Sequence, residues 1–214
     1  MSAKFPLHLL SFLFVFAACE KDKPTPVVDQ RAYSVSTSGN IITVRNLPGD
    51  TIVGTTAQGQ PIGAGRYSFF SLETGQWISN ADSNSTRWDL AFAGTILRVN
   101  NATSGPGGGG AFVYNGTFES LTSVPTDSTF RVDNHPISYA ITRGSGKAWY
   151  TYDGPTNLLT PIPGRTLVIR TANGQRAKVE ILNYYRGGTT PSASSADSIK
   201  TRDQRFFHFR YSKF

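Results

Sequence analysis

The sequence of 214 residues contains few of the side chains that form crosslinks or bind metals. It has one cysteine, one methionine (the first residue) and three histidines. A single cysteine excludes an intramolecular disulfide and any zinc or iron–sulfur site built from several cysteines. The histidines are His8, His135 and His208. They are too few and too scattered to predict a metal site built from several imidazoles.

Long apolar runs are also scarce, and the longest one lies at the N-terminus. Residues 5–16 follow Lys4 and precede Ala17-Ala18-Cys19. The run is shorter than the roughly 20 residues of a membrane-spanning helix, and the pattern predicts a signal peptide over residues 1–18. A cysteine at this point resembles a bacterial lipoprotein signal, in which Cys19 receives the lipid. The alternative is an ordinary signal peptide in which the cysteine is incidental.

The segment after Cys19 has the composition of a tether. Residues 19–32 are charged and contain two prolines, a composition typical of linkers rather than of packed cores. The residues just after the cysteine also resemble signals that direct lipoproteins to the outer face of the outer membrane. We therefore expect a chain held on the outer membrane by its lipid alone, facing the cell exterior.

Charge excludes one class of partner. The chain has 21 Lys and Arg against 14 Asp and Glu, a net charge of +7. These cations form no Lys/Arg-rich run, so no nucleic-acid partner is expected.

The rest of the chain, residues 33–214, predicts a single all-β domain. Apolar residues alternate with polar ones between turns rich in Gly, Pro, Asn and Asp, and no amphipathic helix is evident. About ten short strands predict an antiparallel sandwich or open barrel. The predicted strands are 41–46, 65–72, 86–93, 95–100, 111–115, 137–142, 148–152, 165–171, 175–185 and 205–212.

Alternation also predicts which side chains point inward. Trp88, Leu90 and Phe92 should share one face of their strand, and Ala177, Val179 and Ile181 should be buried. Asn173-Gly174 predicts a tight hairpin. His208 falls on the outward face of the last strand and is expected to be exposed.

Three segments interrupt the strand pattern. Residues 101–110 are glycine-rich and predict a flexible connection, and residues 187–200 predict a long polar loop. Residues 122–133 predict a crossing connection.

No catalytic set is visible, so the chain is expected not to be an enzyme. The cysteine belongs to the signal, and Gly144-Ser145-Gly146 is a turn rather than a nucleophile elbow. Gly107–Gly110 lacks the Lys-Ser/Thr of a phosphate-binding loop, and no helix follows it. Two features remain as candidates for ligand binding. One is His135, on a turn between strands; the other is the aromatic strand that contains Trp149, Tyr150 and Tyr152.

Five stretches of the chain resemble the HmuY family of haem-binding lipoproteins. They are residues 87–92 (Arg-Trp-Asp-Leu-Ala-Phe), 109–114, 124–127, 163–185 with its Asn-Gly turn, and the closing strand 207–211 (Phe-His-Phe-Arg-Tyr). The resemblance implies an all-β, hand-like fold that holds haem or a porphyrin at the cell surface. It also implies delivery of the ligand to a TonB-dependent outer-membrane receptor.

The resemblance also bears on the iron ligands, which are two histidines in the best-known member and methionines in relatives. This chain departs from that pattern, because it has no methionine after the first residue and only one histidine in the ligand region. His135 is the expected haem ligand, with Tyr152, Tyr150, Asp153 or water opposite, and no metal other than haem iron is expected. The alternative is a scaffold of this family that has lost its iron ligands and binds a glycan, a peptide or a receptor component.

Overall fold

The computed structural model describes residue 1 and residues 31–214. Apart from Met1, the predicted signal peptide lies outside the described residues, and so do Cys19 and nearly all of the predicted tether.

The described chain is mostly strand, which confirms the predicted all-β class, and its sheets do not close into a barrel. Fourteen strands form antiparallel sheets of six, four, two and two strands. The strands are β1 (Ser34–Ser38), β2 (Ile41–Pro48), β3 (Ile52–Thr55), β4 (Pro61–Gly63), β5 (Ser68–Ser71), β6 (Gln76–Ile78), β7 (Leu90–Ala93), β8 (Ile96–Val99), β9 (Gly110–Asn115), β10 (Tyr150–Asp153), β11 (Leu158–Pro161), β12 (Arg165–Arg170), β13 (Arg176–Tyr185) and β14 (Gln204–Lys213).

The large sheet has the order β1-β2-β14-β13-β12-β9. Along β13, Ala177, Val179 and Ile181 are buried and alternate with partly exposed side chains, as predicted from the two-residue period of a strand. The turn between β12 and β13 is the predicted hairpin, and Gly174 there has a φ of 90°. Glycine adopts this conformation without the steric cost that other residues incur.

The four-stranded sheet, β6-β5-β7-β8, packs against the large sheet through aromatic rings. Phe92 lies 4.9 Å from Phe207 and 5.3 Å from Phe209 between ring centroids, and Phe70 lies 5.3 Å from Phe209. Such ring pairs combine a large buried area with favourable edge and stacked geometries. This aromatic layer is the centre of the core.

The opposite face of the four-stranded sheet carries a second, smaller cluster. It consists of Phe69, Ile78, Trp88 and Ala91, with Tyr67 packed against it. Trp88 was predicted to share a face with Leu90 and Phe92, and this prediction is wrong. Trp88 precedes β7, outside the strand alternation, and its indole N–H donates to the carbonyl of Ser83 at 2.8 Å.

The predicted strand 137–142 does not form. Residues 134–138 contain a single bridge, Asn134 to Ser138, and the backbone N–H of Ala140 donates to the buried carboxylate of Asp133 at 2.8 Å. A side chain thus takes the donor that a strand ladder would have used. The apolar residues Tyr139–Ile141 are buried nevertheless, which explains why the pattern resembled a strand.

The predicted polar loop 187–200 ends in a short helix, α1 (Asp197–Asp203). Lys200 of α1 is buried and donates to the carbonyls of Thr156 and Ala193 at 2.7 and 3.0 Å. Seven residues are too few for a helical period to stand out in the sequence. Within the described residues, no helix is both long and apolar enough to cross a membrane.

His208 is buried, with 3% of its surface exposed, so the prediction of an exposed histidine is wrong. The 3-10 turn Arg186–Gly188 covers it. A Cβ added at Gly188 would lie 3.1 Å from the His208 Nδ1, which shows how closely the backbone of that turn approaches the ring. The turn therefore makes the outer face of β14 an interior surface at this point.

Residues 101–110, predicted as a flexible connection, are held by hydrogen bonds. The side-chain oxygen of Asn100 accepts from the N–H of Gly107 at 2.9 Å, and the N–H of Gly108 donates to the carbonyl of Ala172 at 2.7 Å. The glycines permit this close packing, because a Cβ at Gly107 would lie 2.7 Å from that of Ala172.

Candidate functional site

His135 lies on an exposed turn, as predicted, and its position is defined by two contacts. Its backbone N–H donates to the Thr103 hydroxyl at 2.6 Å, and its ring meets that of Tyr139 edge-on with centroids 5.7 Å apart. The turn is tied to β8 through Asp133, whose carboxylate accepts from the N–H of Val99 at 3.0 Å. His135 is therefore an exposed imidazole on an anchored turn.

The other predicted ligands lie on β10, which pairs only with β11. Tyr150 is buried, and its hydroxyl lies 3.4 Å from that of Thr95. The Tyr152 side chain is half-exposed, and its hydroxyl donates to Asn157 at 2.6 Å. Asp153 is exposed and accepts a hydrogen bond from Thr156.

The structure does not bring His135 together with these β10 residues. Tyr150 contacts Thr95, just before β8, whereas the turn of His135 is bonded to Val99 at the end of β8 and to Thr103 beyond it. Val99 follows Thr95 by four positions, which is about 13 Å along an extended chain. Tyr150 and the turn of His135 thus lie near opposite ends of β8.

A cavity of about 440 Å³, which we call the Tyr67 cleft, lies on the His135 side. It is lined by Tyr67, Phe69, Ser83, Asn84, Trp88, Arg98 and residues 102–106. Thr103, which bonds His135, is part of this lining. The volume falls within the range of about 300–1,000 Å³ that is usual for small-molecule sites.

The wall of the cleft is aromatic. Phe69 and Trp88 have ring centroids 4.9 Å apart, and Tyr67 lies 6.3 Å from Phe69. Gly105 closes the other side, where a Cβ would lie 2.7 Å from the Trp88 ring. Phe69 and Trp88 are therefore buried behind the wall and fixed by packing on both sides, and Tyr67 is the ring with partly exposed surface.

One cation lines the cleft. The Arg98 guanidinium carbon lies 4.3 Å above the ring of Tyr67 and 5.7 Å from that of Tyr139. Burial raises the pKa of the Tyr67 hydroxyl, and the positive charge of Arg98 opposes that shift. Tyr67 is therefore a neutral phenol near pH 7, and Arg98 supplies the charge of this wall.

Neither Tyr67 nor Arg98 was predicted to be a site residue. Their one visible signal is the alternation Tyr67-x-Phe69, which places two aromatics on one face of β5 and its approach. Nothing in the sequence shows that residues 102–106 fold over that face. The cleft arises from segments that are distant along the chain.

A larger cavity of about 520 Å³ lies elsewhere, along the edge strand β6. It is lined mainly by polar side chains beside Trp77, which is 43% exposed. We regard the Tyr67 cleft as the candidate site, because neither His135 nor any residue that contacts it lines the larger groove. In the described part of the chain, no cluster of three or more His, Cys, Asp or Glu is placed to hold a metal ion.

The solved structures that resemble the chain include three from related bacterial proteins. A candidate HmuY-like haem-binding protein from Bacteroides vulgatus has a TM-score of 0.50 at 13% identity, over 84% of this chain and 96% of its own. A lipoprotein candidate from Bacteroides fragilis has a TM-score of 0.49 at 17% identity, over 84% and 93%. An apo HmuY analogue from Tannerella forsythia has a TM-score of 0.43 at 13% identity, over 86% and 98%.

Sequence comparison gives the family. No curated protein matches the chain. The profile of the HmuY protein family matches residues 65–195, more than half of the chain. This match spans the four-stranded sheet, the Tyr67 cleft, the turn of His135 and the β12–β13 hairpin. The chain therefore belongs to the HmuY family.

Proposed function

We propose that the chain binds haem or a related porphyrin in the Tyr67 cleft and carries it as a surface lipoprotein. The observation that carries the proposal is the hydrogen bond from the backbone N–H of the exposed His135 to Thr103, which lines the cleft. The partly exposed ring of Tyr67 suits contact with a flat aromatic ligand. Family membership supports the ligand class, since the B. vulgatus protein of similar fold is described as HmuY-like and haem-binding.

His135 is the proposed iron ligand. A neutral imidazole nitrogen binds iron well, and its exposed ring on an anchored turn is available to a ligand beside the cleft. His208, the other histidine of the described residues, is buried under the turn Arg186–Gly188. The protein is therefore proposed to supply one ligand to the iron, from His135.

Water or an open position is proposed on the other side of the iron. Tyr150, Tyr152 and Asp153 are the remaining candidates for this position, but Tyr150 contacts Thr95 at the far end of β8, and Tyr152 of the same strand bonds Asn157 in the β10–β11 turn. They would reach an iron bound to His135 only if the β10–β11 hairpin moved. A single imidazole predicts a high-spin ferric spectrum, without the sharp low-spin bands that two imidazoles produce.

Haem titration tests this proposal. Ferric haem added to the protein should produce a Soret band, and His135→Ala should shift or abolish it. Tyr152→Phe is the matched control, because it removes a half-exposed hydroxyl whose partner, Asn157, is not part of the cleft. A spectrum that changes in Tyr152→Phe and not in His135→Ala would place the iron ligand on β10.

A complete absence of haem binding would favour a second function, recognition of a glycan by the family scaffold. The groove along β6 supports this alternative, because it combines the exposed Trp77 with the polar side chains of Glu73, Gln76 and Asn173. The Glu73 carboxylate there is held by Thr171 at 2.8 Å and Asn173 at 3.1 Å. An indole face beside oriented hydrogen-bonding groups suits a sugar ring.

The ligand is proposed to pass from this protein to an outer-membrane receptor. Lipidation of Cys19 would hold the domain on the outer membrane, facing the exterior, where a TonB-dependent receptor would accept the ligand. The role proposed is binding and transfer, not catalysis.

A further inference from the structure

The Tyr67 cleft contains two buried polar atoms that have no hydrogen-bond partner among the described residues. They are the Arg98 Nε and the Ser104 Oγ. Buried polar groups are nearly always paired, since an unpaired one costs about 1–3 kcal/mol. Only four of the described residues have such atoms, and two of them line this one cavity.

The charge of Arg98 is likewise unmatched within the described chain, where no carboxylate lies within ion-pair distance of it. The acid of this region, Asp133, is buried and uses its oxygens on the backbone N–H groups of Val99 and Ala140. All the other residues that line the cleft are uncharged. A ligand anion would therefore meet an arginine that has not already been neutralised.

Two rings hold the guanidinium in place. Arg98 lies over Tyr67 and near Tyr139, at 4.3 and 5.7 Å from the ring centroids. Stacking on aromatic faces fixes the plane of a guanidinium, and the fork of N–H donors in that plane matches a carboxylate. Ser104 contributes a hydroxyl from the loop that closes the same cavity.

We propose that the Tyr67 cleft is a carboxylate-binding subsite, in which Arg98 and Ser104 donate hydrogen bonds to an aromatic carboxylate whose ring lies beside the partly exposed Tyr67. This inference rests on the proposed function for the identity of the natural ligand, since haem carries carboxylates. The recognition does not involve iron, and so metal-free porphyrin binds and esterification of its carboxylates weakens binding.

The first test uses a small probe in place of a porphyrin. The test is a titration of the protein with 2-naphthoate and with its uncharged analogue 2-naphthamide, followed by calorimetry and by Trp fluorescence. The carboxylate should bind at least about tenfold more tightly than the amide, since a hydrogen bond to a charged group contributes about 1.5–3 kcal/mol. Equal affinities for the two probes would overturn the proposal.

Three variants test which residues are responsible for naphthoate binding. Arg98→Gln should weaken naphthoate binding about tenfold or more, whereas Arg176→Gln should leave it unchanged. Arg176 is an exposed arginine over the ring of Phe130 on the large sheet, so its replacement removes an equal charge outside the cleft. Ser104→Ala removes a hydroxyl that has no partner, and the variant should keep or gain stability while binding naphthoate less tightly. Unchanged binding in Ser104→Ala and Arg98→Gln would contradict the subsite.

A porphyrin titration separates this inference from the proposed function. Protoporphyrin IX and its dimethyl ester are compared in the same detergent, alongside ferric haem. If haem binds through His135 but the ester binds as well as the free acid, haem binding stands and the subsite is wrong. If naphthoate binding depends on Arg98 but no haem spectrum appears, the subsite stands and the haem function is wrong.

Discussion

Where loops meet the sheets, individual side chains form hydrogen bonds with backbone groups that have no neighbouring strand. Asp133 joins β8 to the turn of His135, and Asn100 joins residues 85 and 88 to Gly107 through three hydrogen bonds. Asp89 accepts from the N–H groups of Leu72 and Ala172, at 2.7 and 2.8 Å. A buried carboxylate or amide with several partners satisfies backbone donors that have no strand beside them.

Burial affects the ionisation of one of these groups. It raises the pKa of Asp89, and the backbone N–H groups that donate to the carboxylate only partly offset the shift. Because the folded-state pKa is raised, the folded chain binds more protons just above the ordinary pKa of 3.8. This residue therefore makes the free energy of unfolding decrease as pH rises through that window.

His208 has the opposite effect on stability, and it predicts acid sensitivity. Burial lowers the pKa of His208 to about 4, and Arg45 adds repulsion to the proton. The unfolded chain, with an ordinary histidine pKa of 6.5, binds the proton more readily. Stability from this group is complete above about pH 6.5 and is lost as pH falls toward 4, by at most about 3 kcal/mol.

Urea unfolding at pH 7.5, 6, 5 and 4 measures this dependence. Neither ring nitrogen of His208 has a hydrogen bond of normal geometry, so His208→Leu should be stable at pH 7.5. The variant should lose less free energy of unfolding than the wild type between pH 6.5 and 4. Equal losses in the two proteins would show that His208 is not the group that titrates.

At the scale of elements, the loop of residues 101–110 predicts a contrast between two neighbouring glycines. A Cβ at Gly107 would lie 2.7 Å from the Cβ of Ala172 and 2.8 Å from the carbonyl of Asn100. At Gly108 the nearest atom, the Ala172 carbonyl oxygen, would be 3.4 Å away. Gly107→Ala should therefore lower the free energy of unfolding by about 1–3 kcal/mol through overpacking, and Gly108→Ala by less.

Chemical denaturation of the two variants tests this contrast, and naphthoate titration adds a functional comparison. Residues 102–106 of the same loop line the Tyr67 cleft, so Gly107→Ala should also weaken ligand binding. Equal stability of the two variants would mean that the loop shifts to accommodate the added methyl group, as a flexible connection would.

The short helix α1 shows how an element forms without a strong local pattern. Its seven residues follow Ala196, whose side chain forms no capping hydrogen bond. Lys200 supplies contacts outside the helix, to the carbonyls of Thr156 and Ala193, and its ammonium group also bonds Asp197 of the same helix at 3.2 Å. Three hydrogen bonds compensate the burial of this charge.

At the scale of the whole molecule, the proposed anchor predicts where the protein resides. Cys19→Ser removes the thiol that would carry the lipid, and the tether that follows has no apolar run to replace it. Acyl chains contribute about 0.8 kcal/mol for each buried CH₂ group. The variant should therefore move from the membrane fraction to the soluble fraction.

Fractionation with palmitate labelling measures this change. The wild-type chain should pellet with membranes and incorporate the label. A Cys19→Ser chain that still pellets and still incorporates palmitate would contradict the lipoprotein assignment.

Local periodicity was sufficient to predict the elements whose neighbours lie close along the chain. The alternation in β13, the Asn173-Gly174 turn and the all-β class follow from side-chain spacing and turn chemistry, which act over a few residues. One of the five stretches that carry the family resemblance, residues 163–185, contains this turn and β13. These features depend on contacts between residues that lie close together along the chain.

The candidate site could be predicted only in part, because it depends on contacts between distant segments. The sequence placed His135 on a turn, but Tyr67, Arg98 and residues 102–106 form a cleft only after the four-stranded sheet brings them together. The same physical reason explains the error at His208, since its burial is decided by Gly188, twenty residues earlier. The spacing of residues in a strand determines which face a side chain occupies, whereas the tertiary structure determines what covers that face.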